Sequence, residues 1–504
     1  MKLSTLPLCL SSCLLVGCGS GGSSSDTTQQ DHALQIEHLS AGDTSVTFSN
    51  PSAFSQHVAN MSDAERIRRF NLGDDFFENP WVEKQASTEL RDGLGPLFNN
   101  NACQDCHIRD GRGHAPNVSA TEDGTNFSSM LIRASRSSIS DANLQAMQNG
   151  TLANVGDSSV GGQLQQNAIF AIEKESTLRV SYTPVTITFN DGYTVELRKP
   201  QWHLTSNYAD QGYDFNADTV FSARVAPPMI GLGLLALIPE ADILANEDVN
   251  DTDQNAISGK ANRVKNHVSG QVELGRFGWK AGQPTLRQQA AGAFVGDMGL
   301  TSEIFLDENC LLHQDDCLTS PNGNGDSSRD YDFEVSSGVL DLIEFYSHNL
   351  AVPVRRNAYG ENVQEGKALF AQAGCNSCHV ESYQTASSEE HPELANQTIF
   401  PYSDLLLHDM GEDLADFTVD NVSVADTVLV EYQANAKEWR TPALWGLGLT
   451  HTVDPEATFL HDGRARTIME AILWHGGEAQ SAKNAVLDFD NEERDALIEF
   501  LSDL

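Results

Sequence analysis

Hydrophobic positions fall into two spacings along the chain. In "SDAERIRRFNLGDDFF" (62–77), apolar residues recur at three- and four-residue intervals, which predicts an amphipathic helix. Ser62 at its start and Glu65 three residues on predict a capping box. Helical spacing returns in "SGVLDLIEFYSHNL" (337–350). It returns again in the closing "NEERDALIEFLSDL", where Leu497, Phe500 and Leu501 share a face and Asn491 is the expected cap. Between 175 and 205 the pattern becomes alternation. "VTITFNDGYTVEL" reads as two strands joined through Asn190-Asp191-Gly192, a hairpin signal. The polar stretches 246–259 and 320–330 read as loops. This pattern predicts a mainly α chain with a small β-hairpin insertion.

One internal repeat changes the picture. "LFNNNACQDCH" (97–107) and "LFAQAGCNSCH" (369–379) align without gaps, from Leu97/Leu369 and Phe98/Phe370 to both Cys pairs and both His. Each copy is expected to be a helix running into a Cys-x-x-Cys-His loop. That motif is the attachment signature of c-type haem: two thiols form thioethers, and the adjacent His107 or His379 is the proximal iron ligand. A zinc site built from both pairs would leave the His after each pair unexplained. A redox dithiol would call for a thioredoxin-like βαβ setting, which the pattern lacks. Two covalent haems, on Cys103/Cys106 and Cys375/Cys378, are therefore expected. The fold class becomes two cytochrome c-like haem domains, the N-terminal one (46–335) enlarged by loops and the β insertion, the C-terminal one 336–504.

The first residues, "MKLSTLPLCLSSCLLVGCGS", have a positive start and an apolar stretch of signal-peptide length ending in "LVGC". Residues 1–17 read as a lipoprotein signal peptide with Cys18 as the lipidated residue. Residues 18–45, rich in Gly, Ser, Thr and Gln at their start, read as a flexible tether. The expected location is the periplasmic side of the cell envelope, anchored by lipid in the outer membrane. Of nine cysteines, Cys310 and Cys317 remain as an even pair in an oxidising setting and are expected to form a disulfide. Lys and Arg total 31 against 71 Asp and Glu, a net charge of −40. That surface repels nucleic acid and anionic lipid, and suits either cationic partners or solubility alone. No hydrolase triad or phosphate-cradling loop stands out.

Several long blocks resemble one family. They are "STELRDGLGPLFNNNACQDCHIRDGRG", "SGKANRV", "LGRFGWKAGQPTLRQQAAGAFVGDMGLTS", "LLLHDMGEDLAD", "EWRTPALWGLGLT" and "FLHDGRARTIMEAILWHGGEA". The chain resembles, over 55–504, the bacterial di-haem oxidoreductases sometimes labelled thiol oxidoreductases. These are related to the di-haem cytochrome c peroxidases and to the di-haem enzyme that matures methylamine dehydrogenase. The resemblance implies an input haem at the C-terminal motif and a catalytic haem at the N-terminal one, acting on peroxide or another small substrate. The implied electron partner is a small cytochrome or cupredoxin. In "GLGLLALIPEADI", Ala236 stands near where the family pattern carries an acidic residue.

The second axial position separates an electron wire from an enzyme. Met298 in "GDMG" and Met410 in "HDMG" are candidate distal ligands, and both could equally be core fillers. His408 rivals Met410; His114, His203, His267 and Gln288 are rivals at the first haem. His461, Arg464 and Arg440 are candidates for the haem propionates, because Arg pairs with carboxylates in bidentate fashion. The alternative for them is a surface ion-pair patch. In the related peroxidases an aromatic residue stands between the haems, so Trp81 is a candidate bridge, with Trp439 and Trp445 beyond the second motif. Asp251, Asp253 and Asn255 resemble the start of a calcium loop, but Ala256 replaces its glycine, and a solvated acidic turn fits as well. Two non-catalytic readings stand beside the enzyme: a di-haem electron carrier with both irons six-coordinate, or an accessory redox or iron-handling lipoprotein.

Overall fold

The computed structural model describes residues 36–84, 86–88, 90–116, 124–125, 127–324 and 332–504. The expected signal peptide (1–17) and Cys18 lie outside the described residues. The first helix, α1 (Ala64–Glu78), is capped by Asp63, whose carboxylate accepts from the Arg66 N–H at 2.9 Å. The cap therefore sits one residue after Ser62, where a carboxylate also meets the positive end of the helix dipole. The last helix, α7 (Asn491–Asp503), likewise starts one residue earlier than expected. Asp490 caps it and Glu493 completes a capping box.

The hairpin forms as a long ribbon. Strands β2 (Ser176–Thr188) and β3 (Thr194–Ser206) pair antiparallel along their whole length around the turn at Gly192, where φ is +92°. The tip of this ribbon buries Phe189 and Leu197 in a cluster with Phe370, Phe500 and Trp474 of the C-terminal region. A second antiparallel pair, β1 (Met130–Arg136) with β4 (Thr219–Val225), is buried along all of β4.

The chain is about 30% helix and 18% strand. Seven two-stranded sheets occur among the described residues. This corrects the expectation of a mainly α, cytochrome c-like pair of domains: the fold is mixed, with short helices joined by ribbons. The reason is visible in the first repeat copy. Leu97 and Phe98 are not helical but pair in extended form with Ala168 and Asn167. Gly93, Gly95 and Pro96 precede them and break any helix there. Gly95 also packs so tightly that an added Cβ would lie 2.5 Å from the Gly299 carbonyl oxygen. The aromatic neighbour of the first motif's histidine comes from α1. Phe77 lies 6.0 Å from the His107 ring, as Phe370 of α5 (Glu361–Gln372) lies 6.0 Å from the His379 ring.

In the C-terminal region, α5 crosses α7 at Gly366, where a Cβ would come within 2.0 Å of the Ala496 carbonyl oxygen. The largest core cluster joins α1, α3 (Leu286–Met298) and α4 (Ser337–Asn349) around Trp81, Phe294 and Tyr346. Residues 36–45 fold onto this body, and Glu37 is buried there. No helix among the described residues is long and apolar enough to cross a membrane.

Candidate functional site

Each Cys-x-x-Cys-His motif opens onto its own cavity. The first, of about 610 Å³, is lined by Cys103, Cys106 and His107. The second, of about 350 Å³, is lined by Cys375, Cys378 and His379. Both volumes fall within the ~300–1,000 Å³ typical of cofactor sites. None of these four cysteines is paired in a disulfide. Burial pushes Cys103 and Cys375 up to about 12 and raises Cys106 further. Reactive dithiols are instead shifted downward, so Cys103, Cys106 and Cys375 do not have the electrostatics of a thiol–disulfide centre.

The two histidines are held alike. His107 Nδ1 lies 2.8 Å from the Pro227 carbonyl oxygen and His379 Nδ1 lies 2.8 Å from that of Tyr402. A carbonyl can only accept, so each Nδ1 carries the proton and each Nε2 keeps a lone pair for its cavity. Burial, against these hydrogen bonds, brings both imidazoles down to about 4.

The cavities share a wall containing Arg112, Trp279, Arg440, Pro442 and Leu444. Arg112 is buried, donates to the Leu460 carbonyl at 3.0 Å, and leaves its Nε with no partner. Arg133, lining the first cavity, also has a partnerless buried Nε, and His461, lining the second, a partnerless Nε2. The two orphaned arginine Nε donors beside these cavities are what carboxylates of a bound group would satisfy, whereas His461 Nε2 is a lone-pair nitrogen, because its Nδ1 donates to the Ala223 carbonyl at 3.0 Å. Beside two thiols and a free imidazole nitrogen, the arginine donors fit haem.

The remaining sequence candidates separate by position. Arg440 lines both cavities, whereas Arg464 is turned onto Asp462 at 2.7 Å and lines neither. His461 stacks on Trp439 at 3.6 Å. Met298 lines the first cavity and is buried in the core; Met410 and His408 line the second. His408 is gripped by Asp404 at 2.8 Å and Glu478 at 2.6 Å, one carboxylate on each ring nitrogen. Burial opposes its charge, but hydrogen bonds to Asp404, Cys378 and Glu478 prevail and raise its pKa well above the ordinary value. Neither nitrogen is free for iron.

Gln288 lies outside both cavities, with its amide committed to Lys265, Gln283 and the His267 N–H. His114, His203 and His267 line neither cavity. Trp81 is fully buried edge-on to Phe294, one layer behind the first cavity, while Trp445 lines that cavity and Trp439 the second. Ala236 ends a short helix whose Leu232 and Leu235 reach the first cavity. Carboxylate oxygens of Asp251 and Asp253 come within 4.8 Å of one another and of Asp248, while Asn255 turns to Asp253 and the Ile257 N–H. Cys310 and Cys317 are joined as a disulfide, with Cα atoms 5.6 Å apart.

Sequence reasoning missed Arg112, Trp279 and Glu308. Trp279 spans the shared wall, its indole N–H donating to the Val225 carbonyl at 2.7 Å. Glu308 lines the first cavity with a buried, partnerless Oε1. Burial, helped by Glu334, pushes its carboxyl up to about 7. Arg112 and Trp279 stand inside quoted family blocks, so their position there was the available signal.

Two cavities so furnished, with a common wall, have the layout of a two-centre redox protein. The family profile described as "Di-haem oxidoreductase, putative peroxidase" matches residues 35–504, and the chain belongs to that family. No curated protein matches it.

Proposed function

We propose that this chain is an exported, lipid-anchored di-haem c oxidoreductase with peroxidase-like activity, fed by a small cytochrome or cupredoxin. The carrying observation is the pair of cavities, each with a Cys-x-x-Cys-His motif, separated by one wall that contains Trp279. Cys103/Cys106 and Cys375/Cys378 would form the thioethers, and His107 and His379 would bind iron through Nε2. Bound haem supplies redox-active iron, able to reduce peroxide at the first cavity and to store an electron at the second. Arg112 and Arg440 would bind propionate carboxylates from the shared wall. The net charge of −40 favours an electron partner with a basic face.

Trp279 supplies the aromatic bridge in the wall, the role first read onto Trp81. In half-reduced protein mixed with peroxide, Trp279→Phe is expected to slow electron transfer between the centres by at least about tenfold, some 1.4 kcal/mol on the barrier. An unchanged rate would remove Trp279 from the path.

Glu308 stands in for the acid missing at Ala236. As a carboxylate, its partnerless oxygen can accept a proton from substrate in the first cavity. The carboxylate form prevails above about 7, so turnover should rise as pH climbs through that value. Glu308→Gln is expected to lower turnover by roughly 10²–10⁴ and to flatten that limb, with haem content unchanged. A pH profile identical to that of the wild type would exclude the role.

A further inference from the structure

The second cavity holds more ligand chemistry than one iron needs. Besides His379 it is lined by His408, His461, His475 and Met410. His408 is committed to two carboxylates. His461 is stacked flat on Trp439 and sits among the wall residues, directly after Leu460, whose carbonyl takes the Arg112 hydrogen bond. His461 Nδ1 also donates to a backbone carbonyl, that of Ala223 at 3.0 Å, but its ring face is covered by Trp439; His475 has no such ring cover among the described residues. It follows α6 (Ile468–Trp474), and its Nδ1 donates to the Ala471 carbonyl at 2.7 Å. That is the polarity seen at His107 and His379: a backbone carbonyl fixes the tautomer and leaves Nε2 as the lone-pair nitrogen beside a cavity.

The backbone around His475 is held as firmly as the ring. A Cβ on Gly477 would come within 2.2 Å of the Asp409 carbonyl oxygen, and one on Gly476 within 3.1 Å of that of Met410. The strand Leu407–Asp409 therefore closes directly on the 475–477 turn. Met410, its neighbour in this closure, packs partly against two apolar clusters and has no comparable polar anchor. The first cavity offers no such partner: among the described residues His107 is its sole histidine.

We propose that His475 Nε2 is the second axial ligand of the iron held by His379, making the C-terminal centre a bis-histidine site. The proposal rests on the two-haem reading above. A strong-field ligand on each face suits an electron-input centre, and imidazole in place of thioether sets a lower potential than His/Met ligation would.

The test is electron paramagnetic resonance of the oxidised, full-length protein, after haem-stained gels and intact mass have counted the covalent haems. One low-spin signal is expected to turn high-spin in His475→Ala and to return on adding imidazole. In His475→Met the centre should stay low-spin with a raised midpoint potential, which decides the matter if the alanine variant does not fold. Met410→Ala should leave the spectrum unchanged. An unaltered low-spin signal in a two-haem His475→Ala protein, or conversion by Met410→Ala instead, would overturn the ligand and leave the two-haem reading standing. A protein without two covalent haems would end both.

Discussion

Replacing Cys103 and Cys106 together by alanine is expected to leave a folded chain with one covalent haem rather than two, and no peroxide turnover. The thiols line a cavity of about 610 Å³ that the protein's own side chains leave unfilled. The group expected there would be held from three sides: by the thioethers, by His107 and by the cations Arg112 and Arg440. Without the thioethers it can dissociate, and a ligand that binds only the folded state takes its stabilisation with it. Thermal unfolding should therefore begin lower than in the parent. The matching Cys375→Ala/Cys378→Ala protein should also lose one haem, but keep a first centre that still binds cyanide. Haem-stained gels, intact mass and steady-state peroxide consumption read all three outcomes. Two haems retained in either double variant would refute the attachment sites.

Arg355→Ala is expected to cost about 3–5 kcal/mol of stability, because it takes the paired cation from buried Asp503 and one of two cations from buried Glu37. Arg355 is fully buried and pairs with Asp503 at 2.8 Å and with Glu37. Glu37 also accepts from the Tyr402 hydroxyl at 2.6 Å, and the Tyr402 carbonyl is what orients His379. One guanidinium thus ties residue 37, the last helix and His379 together. Burial alone would raise the Glu37 carboxyl, but Arg355 and Lys367 outweigh it and hold it below its ordinary 4.5. A depressed carboxyl contributes stability above its unfolded value, and that contribution is lost as pH falls through the folded one. The gap between parent and Arg355→Ala should accordingly be full at neutral pH and narrow as pH falls below about 4.5. Urea unfolding at pH 7 and pH 4 measures it; a gap that widens in acid would contradict the assignment.

What could be read from the sequence was local. Cys-x-x-Cys-His is contiguous, so its repeat stands out whatever the fold, and the hairpin around Gly192 follows from its own residues. Caps at Asp63 and Asp490 were displaced by one residue because neighbouring Ser, Asp and Asn side chains compete for the same backbone donors. The first copy's helix was misread because similarity to the second hid the breakers Gly93, Gly95 and Pro96. Residues converging from distant segments were the hardest. Arg112 and Trp279 meet in one wall though 167 positions apart, and Trp81, nearer to the first motif in sequence, proves to be packing behind it. Gln288 looked available until its amide was seen to be fully bonded. His475 lay unremarked inside a quoted block, since nothing in "ILWHGGEA" tells that its Nδ1 is taken and its Nε2 is not.

The central claim is that the two centres differ, one open to substrate and one closed by its own ligands. Electron paramagnetic resonance of the oxidised protein with and without cyanide, followed by peroxide added to the half-reduced form, addresses it most directly. The account predicts one low-spin centre untouched by cyanide, and one that binds cyanide and reacts with peroxide. Two low-spin centres, both inert to cyanide and peroxide, would contradict it and make the protein an electron carrier.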